Sequence, residues 1–141
     1  MNSEFTIAVH SLVLLANLPD HMASSEKIAK SVSTHSARIR KIMSLLRKQG
    51  FVTTKEGIGG GYILNCNPQE VTLGQIYRTI SCTALKLHWC TNDPHKSCFV
   101  ATNIQDVMDQ IFNEAEIHLM QYLDQITIDA IVEKLKTFVE E

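Results

Sequence analysis

A chain of 141 residues, 45% hydrophobic and 20% charged, is about the size of one domain and can bury a core. No apolar run reaches the roughly 18 residues of a membrane span, and no basic segment, apolar stretch and small-residue cleavage site open the chain, so a cytoplasmic protein without a membrane partner is expected. The net charge of −2 hides an asymmetry: residues 1–65 carry eight Lys/Arg against four acids (+4) and residues 66–141 five against eleven (−6), the pattern of a polyanion-binding face beside a separate body.

Residues 3–17 repeat Phe5, Ala8, Val9, Leu12, Val13, Leu15 and Ala16 at helical spacing, and Leu18-Pro19-Asp20 ends the pattern. His10 within it reads as a packed or solvated histidine. Ser24-Ser25-Glu26 supplies a cap and a first-turn acid for a short helix over Glu26 to Ser31. A longer helix then runs from His35 to Gln49, stopped by Gly50. Two helices joined by about three residues make a helix-turn-helix. On the second, Ile39, Ile42, Met43, Leu45 and Leu46 form the buried stripe, which turns Thr34, His35, Ser36, Arg38, Arg40 and Lys41 outward in its first two turns. There a recognition helix meets base edges and phosphates.

Gly57-Ile58-Gly59-Gly60-Gly61-Tyr62-Ile63-Leu64 holds four of the six glycines. Phe51 to Lys55 before it and Tyr62 to Leu64 after it are β-branched and aromatic runs that predict a two-stranded ribbon with a glycine-rich tip. A phosphate-cradling loop is the rival, but the Lys-Ser/Thr of a P-loop is missing and a strand, not a helix, follows. Helix-turn-helix followed by ribbon is the order of a winged helix. Lys55, at the entrance to the tip, and Gly59, Gly60, Gly61 and Tyr62 are the expected backbone contacts, since absent side chains let N–H groups approach phosphates.

The array from the first helix through Leu-Leu-Arg-Lys-Gln-Gly-Phe-Val to Gly-Ile-Gly-Gly-Gly-Tyr-Ile-Leu resembles the Rrf2 family of bacterial winged-helix transcriptional regulators, which includes the iron–sulfur cluster regulator, the nitric-oxide-sensitive repressor and the cysteine-metabolism repressor. The likeness covers essentially the whole chain. It implies a homodimer that binds palindromic operator DNA, paired through a long C-terminal helix, with a sensing connector between wing and helix.

Thr72-Leu73-Gly74-Gln75 is a capping box opening a helix through Ile76, Tyr77 and Ile80, expected to brace the wing against the core. A long helix is expected from about Ser97 to Ile126, roughly 45 Å at 1.5 Å per residue, with a broad apolar face suited to pairing with its own copy. Thr127 caps a last helix with Asp129 in its first turn, Ile126 and Ile131 placed as a hydrophobic staple, and Ile128, Ile131, Leu135 and Phe138 as its buried side. The expected architecture is mainly α with a small β-ribbon: a winged helix-turn-helix domain over 1–81, a sensing connector over 82–97 and dimerisation helices over 98–141.

The connector concentrates Cys82, His88, Trp89, Cys90 and His95, with Cys98 just beyond. Cluster-binding relatives space three cysteines by five intervening residues, whereas this chain reads Cys82-x7-Cys90-x7-Cys98 and has Ile104 where a last cysteine would fall. No bound cofactor is therefore expected, an iron–sulfur cluster being the departure from that expectation. Zinc on a mixture of Cys82, His88, Cys90, His95 and Cys98 lacks a Cys-x2-Cys pair. Thiol oxidation is the leading functional reading, because a helix N-terminus beside Cys98 favours the thiolate. Alternatively these cysteines, with Cys66, serve as small packed hydrophobes. No enzyme constellation emerges. The chain reads as a DNA-binding regulator, a repressor acting as a homodimer on double-stranded DNA, its small-molecule effector unassigned. The competing function is a thiol- or metal-sensing protein whose output is a protein interaction.

Overall fold

The structure, a computed structural model, describes residues 3–80 and 97–139. The order of elements is α1 (Ser3–Asn17), β1 (Met22–Ala23), α2 (Ser25–Val32), α3 (Ser36–Lys48), β2 (Val52–Lys55), β3 (Gly61–Leu64), α4 (Leu73–Ile80), α5 (Phe99–Leu123) and α6 (Ile128–Val139). The expected mainly α architecture with a small wing is what the chain adopts.

Apolar residues crowd nearly every face of α1, so it takes the middle of the molecule. Ala8, Leu12 and Leu15 are wholly buried, and α2, α3, α4, α6 and β3 all pack on this helix. Burying a side chain of leucine size stabilises by about 1.5–3 kcal/mol. Ser11, buried among them, donates its hydroxyl to the Ile7 carbonyl at 2.7 Å and so leaves no unpaired donor. At the N-terminal end of α1, Phe5 meets Tyr77 of α4 edge-to-face, with centroids 5.4 Å apart.

The local signals act as their chemistry requires. Ser24 Oγ accepts from the Lys27 N–H to cap α2. Gly50, at φ +82°, closes α3 in a Schellman motif: the Phe51 N–H donates to the Leu46 carbonyl and the Gly50 N–H to that of Arg47. Thr72 and Gln75 satisfy each other's backbone N–H groups at 2.9 and 3.3 Å, a capping box. Thr127 Oγ1 accepts from the Ala130 N–H to cap α6.

Four features differ from the sequence reading. First, the ribbon is a three-stranded antiparallel sheet in the order β1-β3-β2, with Ala23 opposite Tyr62 and Met22 opposite Ile63. Two residues carry too little pattern to announce a strand. Second, α4 packs on α1 and α3 and receives α5, so it braces the helical core more than the wing. Third, α5 ends at Leu123: the Asp124 N–H closes on the Met120 carbonyl, and the Ile126 carbonyl turns away to accept the Leu73 N–H at 2.8 Å. Its 25 residues span about 37 Å. Fourth, α6 packs on α1 and buries Ile128 and Val132, leaving Leu135 and Phe138 at 50% and 74% exposure instead of inside.

Two close approaches hold the parts together. Gly61 lies against β1 so tightly that a Cβ there would collide with the Ala23 carbonyl and come within 2.9 Å of the Ser24 nitrogen. Gly74 likewise makes room for Asp124, whose carboxylate takes a bidentate hydrogen bond from Arg78 at 2.7 and 2.8 Å, pinning the C-terminal end of α5 to α4. The guanidinium holds the Asp124 carboxyl below its ordinary range, and the carboxylate raises Arg78 in turn.

Replacing Gly61 by Ala should lower the denaturant midpoint by the equivalent of about 1–3 kcal/mol, the range for overpacking a tight contact, with the m-value unchanged. Because the folded Asp124 pKa is depressed, its contribution is fully present above the ordinary carboxylate range and disappears as pH falls through the lower folded value. Asp124→Asn should thus be less stable than the parent near neutrality, and the gap should close in acid. A gap independent of pH in thermal melts would contradict this account.

Candidate nucleic-acid interface

The helix-turn-helix is set by α2, the turn Ser33-Thr34-His35, and α3. Ser33 takes a left-handed conformation at φ 65°, and its N–H closes on the Ala29 carbonyl, as does that of Thr34 at 3.0 Å, which bends the chain sharply into α3. His35 caps α3 by backbone position alone, without a side-chain hydrogen bond. Ile39, Met43 and Leu46 are wholly buried and Ile42 nearly so. That stripe fixes the rotation of α3 about its axis. His35, Arg38, Arg40 and Lys41 consequently stand exposed on its first turns, with Thr34 and Ser36 half-buried beside them.

The exposed cations are held by neighbours. Arg40 donates to Ser36 Oγ one turn back at 3.2 Å. Arg38 donates to Ser3 Oγ at 2.5 Å, and Lys41 Nζ lies 3.5 Å from a Glu4 carboxylate oxygen. The first turn of α1 therefore abuts the outward face of α3. Sequence reading missed Ser3 and Glu4 because more than 30 residues separate them from their partners and no local pattern links the two.

The wing rises from the C-terminal end of α3. Gly57 and Gly59, at φ +94° and +76°, bracket Ile58, which is fully exposed at the crest, and the Gly60 N–H closes the turn on the Gly57 carbonyl at 3.1 Å. Lys55 and Gly59 are exposed. Gly60, Gly61 and Tyr62 are half-buried: Cβ atoms on the two glycines would strike the Lys55 and Ala23 carbonyls, and Tyr62 packs against the core between Ala23 and Thr54. The bareness of Gly60 and Gly61 is thus already required by the wing's own folding.

Of the candidate sensing residues, Cys82, Cys90, His88 and His95 lie outside the described residues. Cys98 is exposed at the N-cap of α5. Cys66 is half-buried against the core, and burial pushes its thiol pKa up, which suits a small packed hydrophobe. Ile104, half-buried on α5, presents no donor where the cluster spacing would need one. Among the described residues, no three His, Cys, Asp or Glu side chains converge as metal ligands.

A recognition helix with outward cations, locked by its own buried stripe and followed by a glycine-tipped wing, defines a winged-helix regulator of transcription. The chain belongs to the Rrf2 family: the model described as "Rrf2: Iron-dependent Transcriptional regulator" matches residues 1–134. Among its relatives is the HTH-type transcriptional regulator YwnA of Bacillus subtilis, 31% identical over 116 residues, which span 82% of this chain and 84% of that one. The crystal structure of a transcriptional regulator from Lactobacillus plantarum superposes with a TM-score of 0.82 at 27% identity, covering 99% and 96% of the two chains. IscR of T. potens shares the fold at TM-score 0.69 and 20% identity, covering 96% of this chain and 87% of its own. The protein is a DNA-binding transcriptional regulator and not an enzyme.

Proposed function

We propose that the protein is a repressor that binds palindromic operator DNA as a homodimer. Thr34, His35, Ser36, Arg38, Arg40 and Lys41 lie in or beside the major groove, and Lys55 with the Gly59 to Tyr62 segment rests on the backbone. The observation that carries this reading is the locked rotation of α3. With Ile39, Ile42, Met43 and Leu46 buried, the only face left for a ligand is the one bearing Arg38, Arg40 and Lys41. Arginine there can be bidentate to guanine or to phosphate. For the dimer, support comes from α5, where Val100, Val107 and Ile111 expose 61%, 49% and 53% of their surface at helical spacing; among the described α5 residues only Leu123 is buried. A second copy laid along that face would cover it, and two-fold pairing would present two recognition helices to a palindrome.

Replacing both Arg38 and Arg40 by Ala should abolish operator shifts in a gel assay while sedimentation still reports a dimer. Retained affinity would remove α3 from the interface, and a monomeric parent protein would remove the dimer.

The regulatory part of the proposal is that oxidation at Cys82, Cys90 or Cys98 tunes operator binding, with no bound metal or cluster. It is supported by the exposure of Cys98 at the start of α5. Protein purified without oxygen should be colourless and free of metal. Its DNA binding should respond to peroxide, and Cys98→Ser should blunt that response. A brown protein with iron and sulfide would overturn the metal-free reading.

A further inference from the structure

The first turn of α1 offers an acid to a cation that the proposed function assigns to DNA. Lys41 Nζ lies 3.5 Å from the Glu4 carboxylate, and the two side chains differ in freedom: Lys41 is 70% exposed and Glu4 only 26%. Beside them Arg38 donates to the Ser3 hydroxyl. Oxygen ligands from α1 thus occupy two of the three cations on the first turns of α3, one of those ligands being an anion. A lysine ammonium makes point-charge contacts without fixed geometry, so carboxylate and phosphate are interchangeable partners for it.

We infer that Glu4 acts as an intramolecular stand-in for a DNA phosphate, restraining Lys41 and thereby lowering the protein's affinity for duplex DNA. The inference rests on the reading of α3 as the DNA face. Glu4, the more buried partner, stays with the body while Lys41 exchanges it for a phosphate. The carboxylate then remains close to the DNA backbone, where its charge opposes binding. Both effects are electrostatic and independent of base sequence, so any duplex reports them.

The test compares the full-length parent, Glu4→Gln, Lys41→Ala, Arg38→Ala and the Glu4→Gln/Lys41→Ala double variant for binding to one mixed-sequence DNA duplex across a salt series. Glu4→Gln should bind about two- to fivefold more tightly at low salt, the fold-change equivalent of an exposed ion pair. Its plot of log affinity against log salt should steepen by up to about 0.9, the value of one further phosphate. In the Lys41→Ala background the gain should shrink to the part due to the carboxylate's own charge beside the DNA. Thermal melts separate the bland role, since an acid that merely favours the N-terminus of α1 would change stability when neutralised without tightening DNA binding. Unchanged or weaker binding by Glu4→Gln, with Lys41→Ala and Arg38→Ala impaired, overturns the inference and leaves the α3 reading standing. A gain of equal size in the Lys41→Ala background also overturns it, because Glu4 then acts without Lys41. If Arg38→Ala and Lys41→Ala bind like the parent, the α3 reading falls and the inference falls with it.

Discussion

Everything in this molecule is arranged around the need to remove α1 from water. A helix with apolar residues on so many sides has no stable solvent-facing orientation, and covering it takes α2, α3, α4, α6 and β3 together. Because α3 is one of those covers, Ile39, Ile42, Met43 and Leu46 must point at α1 and its neighbours, and the rotation of α3 follows. The basic side chains are then displayed by exclusion. Their outward position needs no interaction of its own, which leaves them free to exchange Ser3, Glu4 and Ser36 for other partners. The binding face is thus a by-product of core packing, with the charges placed on the one arc that packing leaves empty.

The wing depends on the same core by a second route. Strand β3 joins β1 on one side and β2 on the other, and β1 follows directly from the turn after α1. His21, at φ 53°, makes that turn: its ring hydrogen-bonds the Leu15 carbonyl and its own carbonyl accepts from the Leu64 N–H at 2.9 Å. The base of the wing is therefore tied to the last turn of α1, while Lys55 to Gly59 project into solvent. Glycine has two uses in this short segment. Gly57 and Gly59 supply left-handed turns at the crest, and Gly60 and Gly61 permit backbones to approach.

What could be read from the sequence was whatever acts within about four residues. The caps at Ser24, Thr72 and Thr127, the stop at Gly50 and the stripe on α3 are local chemistry, and each reappears in the structure with its partner. Of the candidate interface, the exposed cations on α3 were legible because a buried stripe implies an opposite face. Contacts between distant residues were not legible. Nothing near Glu4 announces Lys41, nothing near Gly74 announces Asp124, and a two-residue strand is too short for alternation to show. The misplaced side of α6 has the same origin: Leu135 and Phe138 share helical spacing with Ile128, but the body fully covers only Ile128 and Val132 on this helix, and that cover comes from residues far off in sequence.

The attachment of α5 ties the face proposed for dimerisation to the body of the molecule. Residues 81–96 join the end of α4 to Cys98 at the start of α5, while the other end of α5 returns to α4 through the Arg78–Asp124 pair over Gly74. Both ends of the helix with the spare apolar face are consequently referred to the same eight-residue helix. One reference is a tight ion pair at Asp124, and the other is the segment that carries Cys82 and Cys90. Since α4 also packs on α1 and α3, the Arg78–Asp124 pair couples the spare apolar face of α5 to the body that carries the recognition helix.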